Sequence, residues 1–142
     1  NQAVIQAVAE EFSSLTRDKV LVLMGHGTTH YANAIYAALD YTFKDKGYKN
    51  IFLGTVEAYP SMESLMRMVK EYNPAQVILA PLMIVAGDHA KNDMAGDDPE
   101  SWYSQFKEAG FSVKPVFKGL GEYPGIRRLF VEHLKAAGSA LE

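Results

Sequence analysis

Lys19-Val20-Leu21-Val22-Leu23-Met24-Gly25-His26-Gly27 is a short apolar run that stops at glycine. Such a run, without strict apolar–polar alternation, fits a strand covered on both faces, as in a parallel sheet under helices. Before it, Val4, Ile5, Val8, Phe12 and Leu15 recur at helical spacing and predict a helix over Gln2 to Thr16. After it, Tyr31 to Lys46 predicts a second helix, ended by Gly47. Ile51 to Val56 predicts a second strand, and Ser61 to Tyr72 a helix closed by Asn73-Pro74. Val77 to Ala80 predicts a third strand, and Gly87 to Asp98 a long polar loop. Asp98 is expected to cap the next helix, with Pro99 at its first position, running to Ala109 and stopped by Gly110. Ser112 to Phe117 predicts a fourth strand, Lys118 to Pro124 a loop, and Gly125 to Ala137 a closing helix. Strands alternating with helices of about a dozen residues specify βαβ units. The expected fold is therefore α/β: a four-stranded parallel sheet with helices on both faces.

The length of 142 residues fits a single domain. Apolar residues at 48% against charged residues at 22% exclude a disordered or fibrous chain. The absence of cysteine excludes a disulfide framework and a thiolate metal site, and fits a reducing, cytoplasmic setting. Fourteen Lys+Arg against seventeen Asp+Glu leave a net charge of −3, so no basic surplus drives nucleic-acid binding. The longest apolar stretch, Val77 to Ala86, is interrupted by Pro81 and is too short to cross a membrane. No signal-peptide pattern is legible at the start.

In open parallel sheets, ligands bind beyond the carboxyl ends of the strands. His26 lies just past the first strand, Glu57 directly after the second, and His89 a few residues past the third. Parallel strands bring these ends to one rim, about 4.8 Å apart between neighbours. Two imidazoles and a carboxylate form a ligand set with open positions, suited to cobalt, iron, nickel or zinc. Neutral imidazole also serves as a base near neutral pH. Taken singly, each histidine reads as a hydrogen-bonded loop residue, and Glu57 as an acid favoured at a helix N-terminus. Their joint placement at three strand ends is what favours function.

Other residues read as structural. His30 is expected to cap the following helix and His133 to sit solvated on the last one. Met83 and Met94 read as core filler, and Trp102 as packing its helix onto the sheet. Asp88 either orients His89 or stays solvated. Gly25-His26-Gly27 invites a nucleotide-binding reading, but it lacks both G-x-G-x-x-G spacing and a following Gly-Lys-Ser/Thr. The glycines instead let the backbone turn sharply and bring His26 close to a flat ligand.

Val22-Leu23-Met24-Gly25-His26-Gly27, Val56-Glu57-Ala58-Tyr59-Pro60 and the long segment Pro81-Leu82-Met83-Ile84-Val85-Ala86-Gly87-Asp88-His89-Ala90-Lys91-Asn92-Asp93-Met94 together resemble the anaerobic sirohydrochlorin cobaltochelatases of the CbiK type. Gly119-Leu120-Gly121-Glu122 and the apolar closing helix resemble that family's end. The resemblance implies a class II chelatase fold of two α/β lobes facing a cleft, of which this sequence matches the C-terminal one. Residues 1–18 are then expected to be a helix leading out of an N-terminal lobe, and residues 19–142 the chelatase lobe. The implied partner is that N-terminal lobe or a second copy of this chain, in a homo-oligomer.

The family's metal-binding histidines fall on His26 and His89 and its glutamate on Glu57, with His26 the expected pyrrole base. The implied reaction inserts Co²⁺ into sirohydrochlorin, releasing two protons, on the oxygen-independent route to cobalamin. Gly25, Gly27, Leu82, Met83 and Val85 are expected to line the tetrapyrrole, and Lys91, Lys118 and Arg127 are candidate partners for its carboxylates. Metal affinity is expected to fall as imidazole protonates below about pH 6.5. The alternatives are a non-catalytic metal- or tetrapyrrole-binding domain, or a chelatase for iron or nickel.

Overall fold

In a computed structural model the structure describes residues 2–27, 33–82 and 88–118. Their elements follow in the order α1 (Gln2–Glu11), β1 (Lys19–Gly25), α2 (Ala34–Asp45), β2 (Ile51–Thr55), α3 (Met62–Tyr72), β3 (Gln76–Pro81), α4 (Asp88–Ala95), α5 (Trp102–Glu108) and β4 (Ser112–Pro115). The strands form one parallel sheet in the order β2-β1-β3-β4, as the βαβ reading requires. The closing helix expected over Gly125 to Ala137, with His133, lies outside the described residues, and so do His30 and Met83.

Alternate residues of β1 serve opposite cores. Leu21 and Leu23 pack with Ile5, Val8, Leu39 and Phe43 under α1 and α2. Val20, Val22 and Met24 pack with Leu65, Val69, Met94, Trp102 and Phe106 under α3, α4 and α5. A strand with both sets buried reads as a continuous apolar run, which is why β1 shows no alternation. Trp102, 3% exposed, packs its helix onto the sheet as expected, and Met94, 1% exposed, fills the core.

Helix ends follow local chemistry. After α2, the Gly47 amide donates to the Lys44 carbonyl and the Tyr48 amide to that of Phe43. After α5, Gly110 and Phe111 repeat the pattern on Lys107 and Phe106. In both cases the aromatic pair that flanks the cap touches edge to face, Phe43 with Tyr48 and Phe106 with Phe111.

Several boundaries differ from the sequence reading. α1 stops at Glu11, short of Thr16, in turns around Ser13 and Ser14. The loop expected over Gly87 to Asp98 contains α4. Its apolar face is only Ala90, Met94 and Ala95, too small to print a period on so polar a segment. Asp98 is not the cap of α5. Its carboxylate accepts from the Glu100 amide at 2.7 Å, closing a turn, and the cap is Ser101, whose hydroxyl accepts from the Ser104 amide at 3.2 Å. The β4 ladder ends at Pro115, which has no amide to donate, although the Val116 amide still reaches the Leu79 carbonyl at 2.7 Å.

β2 is an edge strand, and α2 covers its free edge. Asp40 accepts from the Leu53 amide at 2.9 Å, while Lys44 donates to the Ile51 carbonyl at 3.2 Å and to Asp40 at 2.7 Å. Both charges are mostly buried, so the pair satisfies backbone groups that would otherwise invite another chain. Replacing Asp40 with alanine is expected to cost about 1–3 kcal/mol in urea unfolding, because the Leu53 amide loses its partner. Unchanged stability would mean that the edge needs no such cover. At the opposite end of β1, the Thr16 hydroxyl donates to Asp18 and holds its carboxyl below the ordinary carboxylate value. That contribution is present at neutral pH and fades as pH falls through the lowered value.

Candidate metal centre

The rim at the carboxyl ends of the strands is built by the backbone first. Gly25 and Thr55 are register partners at the last rung of β1 and β2. Two further bonds carry the pairing past the strands, from the Val56 amide to the Gly25 carbonyl at 3.0 Å and from the Glu57 amide to the His26 carbonyl at 3.1 Å. His26 and Glu57 therefore leave the sheet side by side. Their side chains meet, with Nε2 3.4 Å from Oε2, while 62% and 61% exposed, so the pair faces solvent and a ligand reaches it freely.

The glycines flanking His26 have separate reasons. A Cβ on Gly25 would lie 2.5 Å from the Tyr36 ring, so the close approach there is made by α2. Gly27 has φ +87°, a conformation that costs side-chain-bearing residues about 1–2 kcal/mol. A Cβ there would also lie 2.9 Å from Cβ of Thr55 and 3.1 Å from the Ala58 nitrogen. Gly27 thus makes the sharp turn that the sequence reading expected.

The loop carrying Glu57 is held at several points. The Thr55 hydroxyl donates to the Pro60 carbonyl at 3.2 Å and accepts from the Ala58 amide at 3.0 Å. The Asn33 side chain, next to the first turn of α2, donates to the Tyr59 carbonyl at 2.7 Å. Sequence reasoning missed Thr55, Asn33 and Tyr36. The available signal was a threonine ending a buried strand two residues before the candidate acid, and a glycine whose missing side chain implies a neighbour.

The third strand end lies next to the first. The Leu82 amide donates to the Met24 carbonyl at 2.8 Å, so the chain leaves β3 beside β1. In the order β2-β1-β3 the chain moves from β1 to one side and later to the other, which makes the β1–β3 ends the switch point where open α/β sheets hold ligands. His89 is the second residue of α4, the helix that follows. Its side chain lies outside the described residues, as does that of Asp88. Met83, Val85 and Arg127 lie outside them entirely. Leu82 is partly buried against the α1–α2 core. Among the described residues no three His, Asp or Glu side chains gather closely enough to hold an ion; the structure brings together His26 and Glu57.

The family model and the curated relatives agree on one family. The family model described as cobalt chelatase (CbiK) matches residues 1–139. The sirohydrochlorin cobaltochelatase of Salmonella typhimurium is 43% identical over 133 residues, which cover 94% of this chain and 50% of that protein. Sirohydrochlorin cobaltochelatase CbiKC of Nitratidesulfovibrio vulgaris is 37% identical over 125 residues, covering 88% and 44%. The chain spans about half the length of these curated relatives. Among solved structures, a CbiX protein of Marinobacter aquaeolei VT8 shares the fold at TM-score 0.60 and 20% identity, covering 84% of this chain and 98% of that one. With the match running through β1, β2, β3 and the rim they build, the chain belongs to the cobalt chelatase (CbiK) family.

Proposed function

We propose that this chain is the metal-handling lobe of a sirohydrochlorin cobaltochelatase, inserting Co²⁺ into sirohydrochlorin. The observation that carries the reading is the exposed His26–Glu57 pair, 3.4 Å apart at the ends of neighbouring strands. Donors each about 2.1 Å from one divalent ion stand about 3.4 Å apart at the tetrahedral angle, so the pair has the spacing of adjacent ligands. The names of the two cobaltochelatase relatives support the substrate and the metal.

In this reading His26 and His89 bind Co²⁺ as neutral imidazoles. Glu57 completes the set and lowers the cost of the dication's lost water. Sirohydrochlorin approaches along Leu82, Met83 and Val85, and Gly25 and Gly27 keep the His26 backbone low enough for a flat ring. As the pyrrole nitrogens take the ion, the ring loses two N–H protons; His26, released from the metal, accepts one of them and water carries off the other. Net, Co²⁺ enters and two protons leave. Metal affinity falls in acid because a protonated imidazole cannot ligate.

The other wall of the site comes from an N-terminal lobe or from a second copy of this chain. Residues 1–18 are then the link from such a lobe and residues 19–142 the C-terminal lobe. The proposed setting is the cytoplasm. Separately, among the described residues no helix is long and apolar enough to cross a membrane.

The alternative is a lobe that binds metal or tetrapyrrole without turnover. The purified chain, given sirohydrochlorin and Co²⁺, is expected to shift the tetrapyrrole absorption band over many turnovers, faster than with Fe²⁺ or Ni²⁺. Stoichiometric binding alone would establish the non-catalytic reading. A faster reaction with Fe²⁺ or Ni²⁺ would change the metal, and no binding would reject both.

A further inference from the structure

Glu57 presents a paradox of placement. Its side chain is 61% exposed, on a short loop between β2 and α3, yet it stands 3.4 Å from His26. A free loop would spread that carboxylate over many positions, and a metal would have to gather it at an entropic cost. Something must hold the loop, and the holding groups lie beneath it.

Thr55 is 0% exposed and touches both halves of the rim. Toward the Glu57 loop, its hydroxyl accepts from the Ala58 amide and donates to the Pro60 carbonyl, while its own amide donates to Pro60 at 2.6 Å. These bonds bracket Glu57 on the chain. Toward the His26 loop, Thr55 fills the space where Gly27 lacks a side chain, with Cβ of Thr55 2.9 Å from where a Cβ would stand. One buried side chain therefore sets the height of both loops.

We propose that Thr55 is the positioning residue of the candidate metal centre, holding Glu57 at ligand distance from His26 without itself touching the ion. Its role in metal binding rests on the chelatase reading above; its hold on the loop does not. A buried valine has the same shape but neither donates nor accepts, so Thr55→Val leaves the Ala58 amide without its partner. Serine keeps the hydroxyl. Groups that orient metal ligands typically contribute about 10–100-fold to metal affinity.

The test compares wild type, Thr55→Val, Thr55→Ser and Val69→Ala by amide hydrogen exchange and by Co²⁺ titration. Val69 is a buried residue of α3, outside the rim, and controls for lost stability. Thr55→Val is expected to speed exchange of the Glu57 and Ala58 amides and to weaken Co²⁺ about 10–100-fold. Thr55→Ser restores both, and Val69→Ala lowers stability while leaving both at wild type. Thr55→Ala takes the valine's place if the valine variant does not fold. Wild-type exchange and affinity in Thr55→Val, or the same loss in Val69→Ala, would overturn the proposal. If wild type binds Co²⁺ no better than Glu57→Gln, the metal reading falls, while faster Glu57 exchange in Thr55→Val still carries the positioning role.

Discussion

Replacing His26 with alanine is expected to lower Co²⁺ insertion by about 10²–10⁴-fold, the usual contribution of a positioned base, before any loss of metal affinity is added. The fold should not notice. His26 is 62% exposed, and its structural bond is made by its backbone carbonyl, which alanine keeps. Stability is therefore expected to stay within about 0.5 kcal/mol of wild type. Rates of Co²⁺ insertion, followed through the tetrapyrrole absorption band, check the first part, and urea unfolding the second. Lys70→Ala, an exposed change on α3, supplies the comparison. A His26→Ala rate equal to that of Lys70→Ala would remove His26 from the chemistry.

Trp102→Ala is expected to show the opposite pattern. The indole is 3% exposed, and its tip lies 3.1 Å from where a Cβ on Gly54 of β2 would stand, beside Leu65 of α3. Removing a buried Trp side chain typically costs about 3–5 kcal/mol, because the surroundings collapse only partly into the cavity. Unfolding by urea should show that loss, with Co²⁺ affinity unchanged while the chain is folded. Retained stability with lost tetrapyrrole binding would instead make Trp102 a wall of the pocket.

The contrast between these residues shows what a sequence can reveal. β1 is legible because both of its faces are buried, so its run is apolar throughout. The end of α2 is legible because its cap depends on chain neighbours, Phe43 to Tyr48. His26 and Glu57 are legible as candidates because strand ends in a parallel sheet share one rim. α4 is not legible in the sequence because Ala90, Met94 and Ala95 give too small an apolar face. Asp98-Pro99 carries a helix-start signature, but the turn it makes ends at Ser101, whose hydroxyl supplies the cap three residues later. Thr55 was invisible for another reason. A threonine ending a strand is ordinary β propensity, and its role comes from Gly27, far away along the chain.

If the proposed site is right, His26 and Glu57, together with His89, hold one Co²⁺ ion at the strand ends. Crystals of the chain soaked in Co²⁺, with anomalous diffraction collected at the cobalt edge, test it directly. The expected result is a single strong peak in ligand contact with His26 Nε2, a Glu57 carboxylate oxygen and the His89 imidazole. A peak elsewhere on the chain, with the rim left empty, would contradict it.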